Sequence, residues 1–168
     1  MTFFLREVLD EDHEWLVQLH NDPDVLFNLT NNSPISLESH MNWWNKIKNS
    51  SNEKRLIFVK NQEKIGFVKF YSIDKTNFSC ILGADIEKSH RGRGYAKIMW
   101  KLMIEHCFQE LNLYRISLTT AEYNHKAQHI YKSLGFLEGG KLIRSLYRDG
   151  TFFNQSCMFM CNENWSLK

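Results

Sequence analysis

Arg91-Gly92-Arg93-Gly94-Tyr95-Ala96 is the stretch whose reading decides the fold. A short apolar run ending at Ile86 precedes it and reads as a strand. After it, Ile98-Met99-Trp100-Lys101-Leu102-Met103-Ile104-Glu105-His106-Cys107-Phe108 is apolar at helical spacing. A glycine-rich turn therefore joins a strand to the start of a helix. Glycine lets the backbone approach a ligand closely and adopt conformations that other residues avoid. The first amides of a helix have no internal partner, and the helix dipole adds positive charge there, so the turn is suited to hold phosphate. No Gly-Lys-Ser/Thr is present, which excludes a P-loop, and the glycines do not follow Gly-x-Gly-x-x-Gly.

Outward from this turn the chain divides into clear elements. Thr2 to Val8 reads as a strand, and Asp10 caps a helix to about His20 with Trp15, Leu16 and Leu19 on its apolar face. Residues 21–32 are polar and turn-rich, and read as a loop or a short broken helix. Ser36 caps a helix over 37–48 that carries Met41, Trp43, Trp44 and Ile47. Arg55 to Lys60, Ile65 to Ile73 and Phe78 to Ile86 are strand-like and spaced as an antiparallel meander. Beyond the glycine turn the helix runs to about Leu111, and Leu113 to Thr120 alternates as a strand does. Asn124 to Leu134 reads as a helix stopped by Gly135. Phe136 to Tyr147 and Thr151 to Met160 form a hairpin about Arg148-Asp149-Gly150. The expectation is an α/β fold in one domain over 1–168: a mixed, mostly antiparallel central sheet with flanking helices.

At 168 residues the chain has room for a core. Its formal net charge is +2 and its lysines and arginines are scattered, so no nucleic-acid partner is expected. No apolar run reaches membrane-spanning length, and the N-terminus lacks the apolar core of a signal peptide, so a cytoplasmic location is expected. Cys80 and Cys107 sit in apolar runs and read as buried, reduced thiols. Cys157 and Cys161 have no matching second pair, so no metal is expected.

The second informative stretch is Asn124-His125-Lys126-Ala127-Gln128-His129-Ile130-Tyr131-Lys132-Ser133-Leu134-Gly135-Phe136. It resembles the pattern Asn-x-x-Ala-x-x-x-Tyr-x-x-x-Gly-Phe of the GNAT N-acetyltransferases, with every fixed position filled. The glycine turn resembles that family's Arg/Gln-x-x-Gly-x-Gly/Ala loop, through Arg91, Gly94 and Ala96. The order of elements matches the GNAT fold over nearly the whole chain. The resemblance implies acetyl-CoA as co-substrate, with the amides of Arg91, Gly92, Arg93, Gly94, Tyr95 and Ala96 on its pyrophosphate. It implies that the strand carrying Ala84, Asp85 and Ile86 splays from its neighbour and pairs with pantetheine. It assigns Asn124 to the pantetheine arm, Lys132 to the CoA side, and Tyr131 to the sulfur as general acid. A phenol is a chemically sensible proton donor to a departing thiolate. A spacing of seven places Asn124 and Tyr131 on one helix face, about two turns apart.

The general base is less legible. Many members of the family carry a glutamate two residues before a glycine in this strand, and here Ile81 stands before Gly83. Asp85, His20, His40 and Glu122 are the candidates, with Asp85 taken as the catalytic one, and loss of the proton through water is the alternative. No serine or cysteine stands in a nucleophilic arrangement, so direct attack of an amine in a ternary complex is expected.

Three subfamilies bear on the acceptor. Leu111-Asn112-Leu113-Tyr114-Arg115 and the Asp149-Gly150 hairpin followed by aromatics resemble spermidine/spermine and ribosomal-protein N-terminal acetyltransferases. Pro34-Ile35-Ser36-Leu37-Glu38-Ser39-His40 and residues 72–80 resemble the acetyltransferases of nucleotide-linked 4-amino-sugars. A polyamine wants a carboxylate-lined cleft. The segments 20–30 and 72–79 are instead rich in Asn, Ser and Thr, which suit sugar hydroxyls. Asn21, Asn28 and Asn77 are the candidate substrate-binding residues, and Phe27, Phe78 and Trp44 offer faces for stacking. The expected acceptor is the primary amine of an amino-sugar on a nucleotide. The alternatives are a polyamine, kept in view by Asp22, Asp24 and Asp74, and a protein N-terminal amine. A homodimer is compatible with this reading.

Overall fold

β1 (Phe3–Glu7), β2 (Lys54–Lys60), β3 (Glu63–Asp74) and β4 (Ser79–Ile86) lie side by side, each antiparallel to the next. β5 (Arg115–Ala121) runs parallel to β4. The hairpin of β6 (Leu137–Arg148) and β7 (Thr151–Cys161) completes the sheet, with β7 against β5. The order is β1-β2-β3-β4-β5-β7-β6, in a computed structural model that describes residues 2–166. The hairpin turns on Asp149 and Gly150, with φ of +47° and +81°. Positive φ at both central residues matches the twist of the strands they join.

Alternation along the strands divides the core in two. Leu56, Phe58, Val68, Phe70, Cys80, Leu82, Ile116 and Leu118 face α4 (Tyr95–Glu105) and α5 (His125–Ser133). Ile57, Val59 and Phe67 face α1 (His13–Asn21) and α2 (Pro23–Asn28) on the other side. α3 (Leu37–Ile47) lies farther out against α1. Ser36 starts α3 as expected, accepting the Ser39 amide at 3.1 Å. The helix buries only His40, and Trp43 stays about a third exposed, because α3 roofs a cavity instead of packing on the sheet.

One local expectation is corrected, and one that was open between loop and short helix is settled as a helix. Asp10 does not cap a helix: Asp10–Asp12 is a 3₁₀ turn, and α1 starts at His13. The structural carboxylate is Asp12, fully buried, which binds Arg6 at 2.6 Å, Lys64 at 3.3 Å and the Leu9 amide at 2.8 Å. Burial works to raise its pKa, but the Arg6 and Leu9 hydrogen bonds outweigh that and hold it down to about 2. The polar segment after His20 contains the short helix α2, with Pro23 in its first turn and Asp22 accepting the Asp24 and Val25 amides at 3.1 and 3.2 Å.

The feature that positions the site is where β4 and β5 part. They pair only at Ser79–Ile81 with Arg115–Ser117. From Leu82 to Ile86 the β5-facing edge of β4 has no ladder, while β5 continues against β7. The splay expected of this strand is present, and it opens toward the glycine turn.

Candidate active site

The glycine turn begins a few residues beyond the open end of β4. Gly92 and Gly94 adopt φ of +75° and +79°, and nothing lies within 4 Å of where a Cβ would stand on either. Gly94 starts α4 without a side-chain cap, and the Lys97 amide bonds its carbonyl at 3.2 Å. The first-turn amides therefore face outward in open space, a positive cradle for an anion.

Arg91 ties this turn down. Its guanidinium donates to the Ile86 carbonyl at 2.9 Å, to Asp22 at 2.9 Å and to Asp24 at 2.8 Å. Burial opposes ionisation of Asp22, but Arg91 outweighs it and holds the carboxyl below its usual range. Arg91 is left to meet a ligand through its backbone. The Tyr95 hydroxyl is likewise engaged, accepting from Lys60 Nζ at 2.9 Å, while Arg93 is exposed.

Across the splay, Asn124 caps α5. Its Oδ1 accepts the Ala127 amide at 3.2 Å and its Nδ2 donates to Asn28 Oδ1 at 3.1 Å. Tyr131 stands edge-on to Trp100, with ring centroids 4.7 Å apart, and near Phe136 at 6.0 Å. Among the described residues its hydroxyl has no hydrogen-bond partner. Burial, and then the charge of Asp85, raises the phenol above its ordinary range, so it stays protonated at neutral pH. Lys132 is exposed on the same helix.

On the other face of the sheet lies a cavity of about 550 Å³. Phe67, Lys69, Tyr71 and Asp85 form its floor, and His20, His40 and Trp43 stand in its walls. Asp85 is also in the unpaired part of β4, so the cavity reaches the splay. Asp85 is held by the ammonium of Lys69 in a mostly buried ion pair. Burial acts to lower the Lys69 pKa, and Asp85 outweighs it and raises it. Arg55 lies 4.3 Å over the Tyr71 ring and bonds Glu53 at 2.6 Å. Both carboxylates of the cavity, Glu53 and Asp85, thus carry an internal cation. His40 shares a 3.0 Å hydrogen bond with His13, and burial first, then the two neighbouring histidines, push it down to about 4.

These positions sort the residues singled out in the sequence. Asp85, His20 and His40 reach the cavity. Glu122 does not: it pairs with Lys141 at 2.7 Å and Asn154 at 2.8 Å beside the β6–β7 hairpin. None of the three substrate-side asparagines lines the cavity. Asn21 clasps both the amide and the carbonyl of Ile35, at 2.9 and 2.8 Å. Asn28 bonds the Asp24 carbonyl at 2.8 Å and Asn124. Asn77 bonds Asp74 at 2.7 Å in the turn before β4, at the end away from the splay. Short amides reach nearby backbone and turn groups readily, and that chemistry prevails here. Phe78 packs on Trp165 and Trp44 on His13, while Phe27 packs on Tyr123 and remains partly exposed. Sequence reading passed over Arg55 and Lys69. The available signal was a cation inside an otherwise apolar strand, as in Gly66-Phe67-Val68-Lys69-Phe70-Tyr71.

Comparison with known proteins agrees with this geometry. The model of the acetyltransferase (GNAT) domain family matches residues 2–137. The spermidine N(1)-acetyltransferase of Escherichia coli (strain K12) is 27% identical over 157 residues, covering 92% of this chain and 84% of that protein. The putative ribosomal N-acetyltransferase YdaF of Bacillus subtilis is 27% identical over 100 residues, 60% of this chain and 55% of that one. The crystal structure of spermidine N-acetyltransferase from Vibrio cholerae in complex with CoA and spermine superimposes with a TM-score of 0.91, at 25% identity and 95% of each chain. The splay, the loop and the family match converge: the chain belongs to the GNAT acetyltransferases and is an acyltransferase with acetyl-CoA as co-substrate.

Proposed function

We propose that this enzyme acetylates a primary amine of a polyamine, bound in the cavity above Asp85. The observation that carries the reading is the likeness over nearly the whole chain to spermidine N-acetyltransferases, one of them in complex with CoA and spermine. The expected nucleotide-linked amino-sugar finds no support in these relatives. Two carboxylates, Glu53 and Asp85, line the cavity and suit an acceptor with more than one ammonium group.

The residues present fit acetyl-CoA. The uncapped first turn of α4 matches a pyrophosphate, and the unladdered backbone of Ala84 to Ile86 matches the amides of pantetheine. Bound there, acetyl-CoA supplies an acyl group activated as a thioester. Tyr131, kept protonated, donates to the sulfur as the thiolate leaves. Burial, and then the charge of Asp85, raises that phenol, and Asp85 draws the acceptor's ammonium toward the splay. Its carboxylate is engaged by Lys69, so we assign it to positioning and let the amine's proton depart through cavity water or neutral His40. The amine attacks directly, and no acetyl-enzyme forms.

One observation favours an acceptor with a single amine among hydroxyls, such as an amino-sugar. Each cavity carboxylate is already neutralised, so a polyamine must share Asp85 with Lys69 and Glu53 with Arg55. A panel of spermidine, spermine, a nucleotide-linked 4-amino-sugar and a peptide with N-terminal alanine, incubated with acetyl-CoA and read by mass spectrometry, separates the readings. Acetylation of the polyamines supports the proposal. Turnover of the sugar or the peptide alone overturns it while leaving the acetyl-CoA site standing.

A further inference from the structure

The sheet carries a second depression, of about 720 Å³, at the opposite end of β4 from the splay. It is bounded by the starts of β4 and β5, the end of β3 and the loop after α3. The depression runs along β4 from Ser79 to Ile81, and Ile81 lies four positions before Asp85, roughly 13 Å along the strand. It shares no lining residue with the amine cavity. Its shape follows from the backbone. The β3–β4 ladder is irregular between Tyr71 and Asp74, with Ser72 and Phe78 at φ of +47° and +49°. Ile81, in the floor, is 41% exposed.

The lining is one-sided in its chemistry. Ser51, Ser72, Ser79 and Ser117 bring hydroxyls. Asn52 accepts the Ser50 hydroxyl on Oδ1 at 2.5 Å, which leaves its NH₂ to donate. Arg115 and Lys75 bring positive charge, and among the described residues neither has a carboxylate within salt-bridge distance. The Arg115 guanidinium lies over the Phe159 ring, 5.1 Å from its centroid. The single carboxylate, Asp74, is turned into its own loop. It accepts the Thr76 and Asn77 amides at 2.8 Å and Asn77 Nδ2 at 2.7 Å. A concavity of this size, rich in donors and with two unpaired cations, matches an oxyanion carried on a hydroxylated small molecule.

We infer that this depression binds a phosphate ester of a hydroxyl-rich small molecule, with the phosphoryl oxygens on Arg115 and Lys75 and the hydroxyls on the serines. The site is independent of which amine is acetylated. Its test uses the whole protein saturated with CoA, so that the Gly92–Ala96 loop is occupied, and glucose 6-phosphate as the probe. Amide chemical shifts are followed by two-dimensional NMR. Saturable shifts at Ser72, Ser79 and Ser117 are expected, with no such shifts from glucose alone. Arg115→Ala and Lys75→Ala should each weaken binding about tenfold, as loss of a charge-assisted hydrogen bond does. Both side chains lie at the surface, and the unperturbed shifts of the core amides show that the variants fold. Absence of saturable shifts, shifts confined to Gly92–Ala96, or equal binding by both variants would overturn the assignment.

Discussion

Tyr131→Phe separates chemistry from binding at this site. The substitution removes one oxygen and keeps the ring, so the edge contacts with Trp100 and Phe136 survive. The hydroxyl has no partner among the described residues, so no hydrogen bond within the fold is lost. Folding stability should change by less than about 0.5 kcal/mol. CoA affinity should also hold, because the glycine turn and the open β4 edge are untouched. Turnover is different: a positioned general acid contributes roughly 10²- to 10⁴-fold, and kcat should fall by that factor. The pH profile adds a second readout. Burial and the charge of Asp85 raise the phenol, so the wild-type rate should hold as pH climbs to about 10, the ordinary tyrosine value. The assay is steady-state release of CoA thiol with the acceptor found in the panel, alongside calorimetric CoA binding and a thermal melt. A kcat within about threefold of wild type, at equal CoA affinity, would remove Tyr131 from the acid role, since it falls far short of the general-acid range.

Three further perturbations test the frame around the site. Gly66→Ala would place a Cβ 2.6 Å from the Asp85 carbonyl oxygen and 3.2 Å from Met99 Sδ, forcing β3 from β4 beneath the splay. It should cost about 2–3 kcal/mol in chemical denaturation, and an unchanged midpoint would show that this approach is not close. Arg91→Ala frees the loop from Asp22, Asp24 and the Ile86 carbonyl, and should raise KM for acetyl-CoA about tenfold with kcat at saturation kept. An unchanged KM would mean that the loop holds its shape without the clamp. His40 titrates near 6.5 in an unfolded chain and at about 4 in the fold, so the unfolded state takes the proton first. Its contribution is full above about pH 6.5 and is lost as pH falls toward 4, by up to about 3 kcal/mol. Asp12 gives way only nearer pH 2, outside that window. A His40→Gln variant that keeps the wild-type slope between pH 6.5 and 4 would refute the assignment to His40.

What could be read from the sequence was set by short-range chemistry. The Gly92 and Gly94 turn, the helix behind it, and the spacing of Asn124, Tyr131 and Gly135 depend on residues within one or two turns of each other. Strand alternation foretold the sheet, and Asp149-Gly150 the hairpin, for the same reason. The asparagines are ambiguous in sequence because a short amide serves a local turn as well as a ligand, and composition does not distinguish the two. Asp10 misled because Asp12 is the acid that Arg6 and Lys64, from β1 and β3, converge on.

The cavity above Asp85 was decided by tertiary structure. Strand register sets Arg55 opposite Lys69 and Lys69 opposite Gly83. Gly83 has no side chain, so the Tyr71 ring leans over it, with its nearest atom 3.2 Å from where a Cβ would be. Asp85, two residues on, is thereby brought to Lys69, and Glu53 to Arg55, so the cavity's charges cancel in pairs. The sequence by itself determined the strands of the sheet, the glycine turn and the place of Tyr131 on its helix, because each is encoded within a local stretch. Which charges face the cavity, and which are already neutralised, was decided only when β3 and β4 took their register, because Lys69 and Asp85 are 16 positions apart in the chain.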